Sequence, residues 1–223
     1  MSNLLMDPIS KLMGLRYKSH PWHGIDIGPD APVVVNCFIE MVPTDTVKYE
    51  LDKVSGYLKI DRPQKYSNVV PALYGFIPQT FCGERVAEIC RERTGRSGIR
   101  GDGDPLDICV FTEKEITHGD LLVKAKTIGG FRMLDGEEAD DKIIAVMNQD
   151  AVYGEYEDLS DCPALVIDRL MHYFLTYKDL PGTPRRCEIT HTYGKEEARE
   201  IILRAREDYR RKFENLDEAL KSV

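Results

Sequence analysis

The chain reads as an α+β fold in which a compact β-barrel is followed by two helices. Three observations predict it. Short apolar segments of strand length crowd residues 33–147; the apolar period lengthens from two to that of a helix after Asp161; and no repeat, low-complexity tract or long linker divides the 223 residues. That length, with 42% hydrophobic and 30% charged residues, suits one domain over 1–223 with a proper core.

Residues 1–30 are punctuated by Pro and Gly and are expected as an N-terminal extension over the surface. Strand texture begins at Val33 with VVVNCFIEM. In TVKYELD, Val47, Tyr49 and Leu51 alternate with Lys48, Glu50 and Asp52, the period of a half-buried strand, and YLKID follows. Residues 82–101 carry five arginines against three glutamates and are expected as an inserted loop, either solvated or facing an anion or a neighbouring subunit. Further strands are expected at 106–111 (LDICVF), 121–128 (LLVKAKTI) and 142–147 (KIIAVM), with Gly129–Gly130 bending the chain before FRML. Between Asp161 and Lys178, Leu165, Ile167, Leu170, Met171 and Phe174 form one helical face, with Ser160 or Asp161 as its cap. A short strand in RRCEITHTY and a long helix from about Lys195 complete the chain.

Charge narrows the function. With 38 acidic and 30 basic residues the formal net charge is −8, which argues against general nucleic-acid or anionic-membrane binding. Asp7, Pro8, Lys11 and Arg16 interrupt the apolar residues at the start, so no signal peptide is read there. The uncharged run from Tyr66 to Gly83 is broken by Pro71, Gly75 and Pro78 and does not suit a membrane span. The expected location is cytoplasmic. The six cysteines are scattered without a CxxC pair and read as reduced packing residues; a Cys82–Cys90 disulfide has no positive support.

The sharpest chemical feature is Asp102-Gly-Asp104-Pro-Leu-Asp107. Two unit charges 4 Å apart repel by roughly 4 kcal/mol at an effective dielectric of 20, so three clustered carboxylates call for solvent, protons or cations. Hard oxygen donors suit Mg²⁺, Mn²⁺ or Ca²⁺ rather than zinc. Asp107 shares a strand face with Cys109 and Phe111, which makes it an inward-facing carboxylate at a barrel rim. A surface turn rich in Asp, Gly and Pro would also account for the motif. An EF-hand does not: its sixth position needs Gly and has Asp107.

A second acidic group, Asp135 to Asp141, ends at Lys142 and is either a solvated hairpin loop or the opposite wall of a multi-cation site. Lys48 and Glu50 face solvent or line a polar cavity. Arg62 has the parity of Leu58 and Ile60, which aims it at the core unless the strand has ended by Pro63. Tyr177 and Lys178 close the first predicted helix, where a lysine also complements the helix dipole. His20, His23 and His172 read as packing rather than metal ligands. No Walker A, HExxH or GxSxG motif is present.

Taken together, IEMVP…KYELDKVSGYLKIDRP, PALYGFIPQT, GDGDPLDICV, the loop ending DDKIIAV, and HYFLTYKD resemble, in that order, the family I inorganic pyrophosphatases over roughly residues 33–210. The resemblance implies a five-stranded OB-like barrel with its site at the barrel mouth. It implies Mg²⁺-dependent hydrolysis of pyrophosphate to two phosphates, by direct in-line attack of a metal-bridging hydroxide, with Mn²⁺ as a substitute. By the same resemblance Asp102, Asp107 and Asp140 hold the first Mg²⁺, and Asp107 bridges to a second. Asp135 and Asp140 hold one that arrives with substrate, Glu50 completes the metal set, and Glu40 stands behind it. Asp104 accepts the water's proton; Lys48, Arg62, Lys142, Tyr177 and Lys178 grip phosphate oxygens; Tyr74 lines the site. Val70 stands where many members have tyrosine. Members commonly form dimers or hexamers, so a homo-oligomer is expected. The competing expectations are a phosphohydrolase of another polyphosphate substrate and a noncatalytic OB-type binding module, which would need a basic, aromatic strand face.

Overall fold

The computed structural model describes residues 18–178, 182, 184 and 186–221. Among these the strands are, in chain order, β1 (Val34–Met41), β2 (Val47–Leu51), β3 (Leu58–Pro63), β4 (Leu73–Phe76), β5 (Arg100–Gly101), β6 (Asp107–Phe111), β7 (Leu121–Asp135), β8 (Glu138–Ala139), β9 (Lys142–Met147) and β10 (Cys187–Gly194). The helices are α1 (Glu84–Thr94), α2 (Ala164–Thr176) and α3 (Lys195–Lys221). Five strands close a ring in the order β1-β4-β6-β9-β7, because β7 pairs back onto β1. Closure leaves those strands no open edge. Every pairing in the ring is antiparallel except β6 with β9.

Local chemistry explains the closure. Gly75 of β4 lies so near β1 that a Cβ there would sit 1.9 Å from the Phe38 carbonyl oxygen, so only glycine permits the pairing. The expected Gly129–Gly130 irregularity is a register shift between Thr127 and Gly129 against β9, and β7 continues through it unbroken. Both faces of the central strands are buried. On β6, Ile108 and Val110 join a core layer that reaches α1 and α3, whereas Cys109 and Phe111 join the layer beneath α2. Asp107 therefore faces the α2 side. All six cysteines are free and buried.

Three expectations change. Residues 82–101 are not a loop: α1 occupies most of them, with Val86, Ala87, Ile89 and Cys90 buried at helical spacing. Their five arginines pair within the chain, Arg85 with Glu207, Arg91 with Glu84, Arg93 with Glu197 and Glu200, Arg96 with Glu188, and Arg100 with Glu138. The first C-terminal helix starts at Ala164 rather than at Asp161. Pro163 keeps Cys162 extended, and Ser160–Asp161 belong to a separate 3₁₀ turn capped by Asp158. Finally, β4 lies inside the uncharged run, where no strand was expected.

Residues 1–17 of the N-terminal extension lie outside the described residues; within 18–30, Trp22 and Ile27 are buried. No helix among the described residues is long and apolar enough to cross a membrane.

Candidate active site

The parallel pairing of β6 with β9 sets the first residues of both strands side by side, in the register Asp107↔Lys142. The two acidic loops that precede these strands consequently open on the same edge of the barrel. Gly103 makes the first loop possible by taking φ +78°, and the Asp104 amide donates to Asp102 Oδ1 at 2.9 Å. Asp135 ends β7, and Asp140 follows β8. Glu40 comes from β1, Lys48 and Glu50 from β2, and Tyr74 from β4. Tyr177 caps the C-terminus of α2, with Lys178 next in sequence.

All of these line one cleft of about 170 Å³ with Trp22, Leu51, Lys53, Phe76, Pro105 and Glu138. The cleft thus gathers Glu40, Lys48, Glu50, Tyr74, Asp102, Asp104, Asp107, Asp135, Asp140, Lys142, Tyr177 and Lys178. Arg62 is the exception. A register shift between Lys48 and Tyr49 breaks the alternation of the β2–β3 hairpin, and Arg62 pairs with Asp61 instead of turning to the core. Sequence reasoning passed over Trp22, Lys53 and Glu138. Lys53 forms an ion pair with Asp104, and the indole N–H of Trp22 donates to the Thr80 carbonyl at 2.7 Å. In HPWHG the two histidines are the more conspicuous chemically, yet the indole between them is what reaches the cleft; His20 lies 3.2 Å from the Lys53 carbonyl oxygen and His23 2.8 Å from the Tyr209 hydroxyl. Val70 is fully buried in the α2-side core and does not line the cleft.

Lys142 stands at the centre, 1% exposed, donating to Asp107 Oδ2 at 2.5 Å and paired with Asp140. The Tyr74 hydroxyl donates to the same Asp107 oxygen at 2.6 Å, and Lys178 donates to Asp135 at 2.6 Å. Burial opposes the charge on Lys142, yet the Asp107 and Asp140 carboxylates hold its pKa well above the usual lysine value. Burial, reinforced by Asp140, pushes Asp102 up to about 8. Glu40 is also pushed up to about 8, by burial and then by Asp107, against the Leu51 amide that donates to it at 2.7 Å.

Eight carboxylates and four lysines line this cleft, so the bare residues carry an excess of negative charge. No three His, Cys, Asp or Glu side chains among the described residues are gathered closely enough to hold a metal ion as they stand. The lysine ammonium groups sit among the carboxylates instead. The donor set nonetheless fits hard divalent cations: it is all oxygen, its carboxylates outnumber its lysines, and burial disfavours the charge on Asp102 and Glu40. A second cavity of about 310 Å³, bordered by Pro43, Pro71, Val110 and Phe111, contains none of these residues.

The model of the inorganic pyrophosphatase family matches residues 37–210. An inorganic pyrophosphatase of Chlamydia trachomatis is 53% identical over 196 residues, covering 86% of this chain and 94% of that protein. A soluble inorganic pyrophosphatase of Arabidopsis thaliana is 39% identical over 72% of this chain and 65% of its own length. The crystal structure of the Thermus thermophilus inorganic pyrophosphatase superposes with a TM-score of 0.72 at 28% identity, covering 86% of this chain and 99% of that one. The closed five-strand ring is therefore the frame of a known enzyme class, and the chain belongs to the family I inorganic pyrophosphatases, which are inorganic diphosphatases.

Proposed function

We propose that the cleft hydrolyses inorganic pyrophosphate to two phosphates with Mg²⁺ as cofactor, by direct in-line attack of water and without a phosphoenzyme. The observation that carries this reading is the convergence of two carboxylate loops around a buried Lys142 at one barrel edge. Asp102, Asp107, Asp135, Asp140 and Glu50 would hold Mg²⁺, with Mn²⁺ as a substitute. Bound there, Mg²⁺ supplies neutralisation of the phosphate oxygens and acidification of the attacking water, whose pKa in bulk is about 15.7.

The residues of the chain do the rest. Lys142, already desolvated, donates to phosphate oxygens at full electrostatic strength, and Lys48, Lys178 and the Tyr177 hydroxyl extend that grip. Arg62 serves as an outlying phosphate contact across the hairpin from Lys48, its register partner. Asp104 takes the proton of the attacking water at its carboxylate, a role in which Lys53 holds it oriented. Tyr74 and Glu40 fix Asp107 and the β2 edge. The same reading makes the protein a cytoplasmic homo-oligomer that binds neither nucleic acid nor membranes.

The test is phosphate release from pyrophosphate with Mg²⁺, with Mn²⁺ and with EDTA, alongside Asp104→Asn. Metal-dependent release that collapses in the variant supports the reading. Faster turnover of nucleotides or longer polyphosphates would reassign the substrate. Oligonucleotide binding without any release would favour a binding module.

A further inference from the structure

The first acidic loop does not hold its shape alone. Its back is hydrogen-bonded to residues 77–83: the Ile77 amide donates to the Leu106 carbonyl at 2.9 Å, and the Leu106 amide donates to Thr80 Oγ1 at 2.9 Å. Cys82 is bonded in both directions, its amide to the Asp104 carbonyl at 2.8 Å and its carbonyl from the Gly103 amide at 3.0 Å. One residue further on, α1 begins at a Gly83 cap that offers no side chain to its first amides.

Those amides are taken by a residue from the far end of the chain. Asp208 of α3, 6% exposed, accepts from the amides of Gly83 at 3.1 Å, Arg85 at 3.0 Å and Val86 at 3.2 Å. A Cβ on Gly83 would lie 3.0 Å from the Asp208 carboxylate, so the missing side chain leaves room for this approach. The Ala205 carbonyl, one turn earlier on α3, accepts from the Phe81 amide at 2.9 Å. Helix α3 thereby grips both sides of Cys82.

We propose that Asp208 is a positioning residue for the Asp102–Asp107 loop, acting through the N-terminus of α1 and Cys82. This assigns α1 a purpose, that of a brace between α3 and the acidic edge of the barrel, and it rests on the reading of that edge as a cation site. The carboxylate fixes where α1 starts, α1 fixes Cys82, and Cys82 fixes the backbone of Gly103 and Asp104. Burial stiffens the link, because the Val86 amide is buried and those of Gly83 and Arg85 are partly so, leaving them few other acceptors when the carboxylate is withdrawn.

The test compares two carboxylates that cap helix amides from a distance. Asp158 accepts from the Lys195 amide at 2.9 Å, at the start of α3, and touches nothing in the loop. Hydrogen exchange of residues 100–106 in the metal-free protein and the dissociation constant for Mn²⁺ are measured for the native chain, Asp208→Ala, Asp208→Asn and Asp158→Ala. The expected result is about tenfold lower loop protection and about tenfold weaker Mn²⁺ binding in Asp208→Ala. Asp208→Asn, which keeps one acceptor and is the variant to use if alanine prevents folding, should change both in the same direction by less. Asp158→Ala should lower the melting temperature and leave both readouts unchanged. Native loop protection and Mn²⁺ affinity in a destabilised Asp208→Ala would overturn the proposal. If the native chain itself bound no Mn²⁺, the reading of the cleft would fall, and the exchange measurement alone would still decide whether Asp208 positions the loop.

Discussion

Replacing Arg132 with methionine should destabilise the protein by about 3–4 kcal/mol, toward the lower part of the range for breaking a buried ion pair. Arg132 is fully buried, with its guanidinium 3.0 Å from Asp141 Oδ2 and 2.7 Å from Glu197 Oε1. Methionine fills comparable space, so cavity formation adds little. The cost arises at Asp141, whose side chain is also fully buried, with Oδ1 without a hydrogen bond and Oδ2 left to the Tyr193 hydroxyl at 3.1 Å. One neutral donor does not offset a buried negative charge. Glu197 adds less, because it is partly exposed and lies 3.8 Å from Arg93. Removing both charges together, in Arg132→Met with Asp141→Leu, should recover at least about 2 kcal/mol of the loss. The assay is urea unfolding followed by far-ultraviolet circular dichroism at two protein concentrations, which separates folding from assembly. A loss below about 1 kcal/mol in the single variant, or a double variant no more stable than the single, would refute the reasoning.

Three further outcomes are expected. His23 is pushed down to about 4 by burial and then by His20, so the folded state holds it neutral while the unfolded chain protonates it near 6.5. Its stabilisation is complete above pH 6.5 and is lost as the pH falls towards 4; because the ring is only half-buried, the loss is about 1–2 kcal/mol. Urea midpoints at pH 7.5 and 5 should therefore diverge more in the native chain than in His23→Phe. Gly75→Ala should abolish folded expression, since its Cβ would lie 1.9 Å from the Phe38 carbonyl oxygen; a soluble variant with a native circular dichroism spectrum would contradict that geometry. Lys142→Met should lower phosphate release at least about 100-fold by removing a preorganised donor, and near-native turnover would take Lys142 out of the chemistry.

The parts of the fold and site that were legible are those written in short-range pattern. The clustering of Asp102, Asp104 and Asp107, and of Asp135 and Asp140 before Lys142, is visible because like charges so close together need a reason. The ring strands other than β4 announced themselves by apolar runs. What stayed hidden depended on partners distant in sequence. Arg62 shares the parity of Leu58 and Ile60 only if the period of two is unbroken, and an extra residue at Asp61, in its own strand, breaks that period. In residues 82–101 the arginines were weighed as charge, although Val86, Ile89 and Cys90 already carried helical spacing. Strand β4 is too short and too rich in neighbouring Pro and Gly to stand out. Trp22 and Lys53 reach the cleft only through tertiary packing, which no local window contains.

The order in which the cleft's residues occur along the chain has a consequence for synthesis. Its walls run from Trp22 to Lys178, and β1 has to wait for β7 before the ring can close. A nascent chain emerging from the ribosome therefore exposes one edge of β1 long before β7 exists to cover it, the interval in which unpaired strands associate wrongly. Asp208 arrives later still, so the acidic loop gains this support only after every residue lining the cleft has been made. A product released between Lys178 and Asp208 would carry every carboxylate of the cleft without the brace behind the first acidic loop.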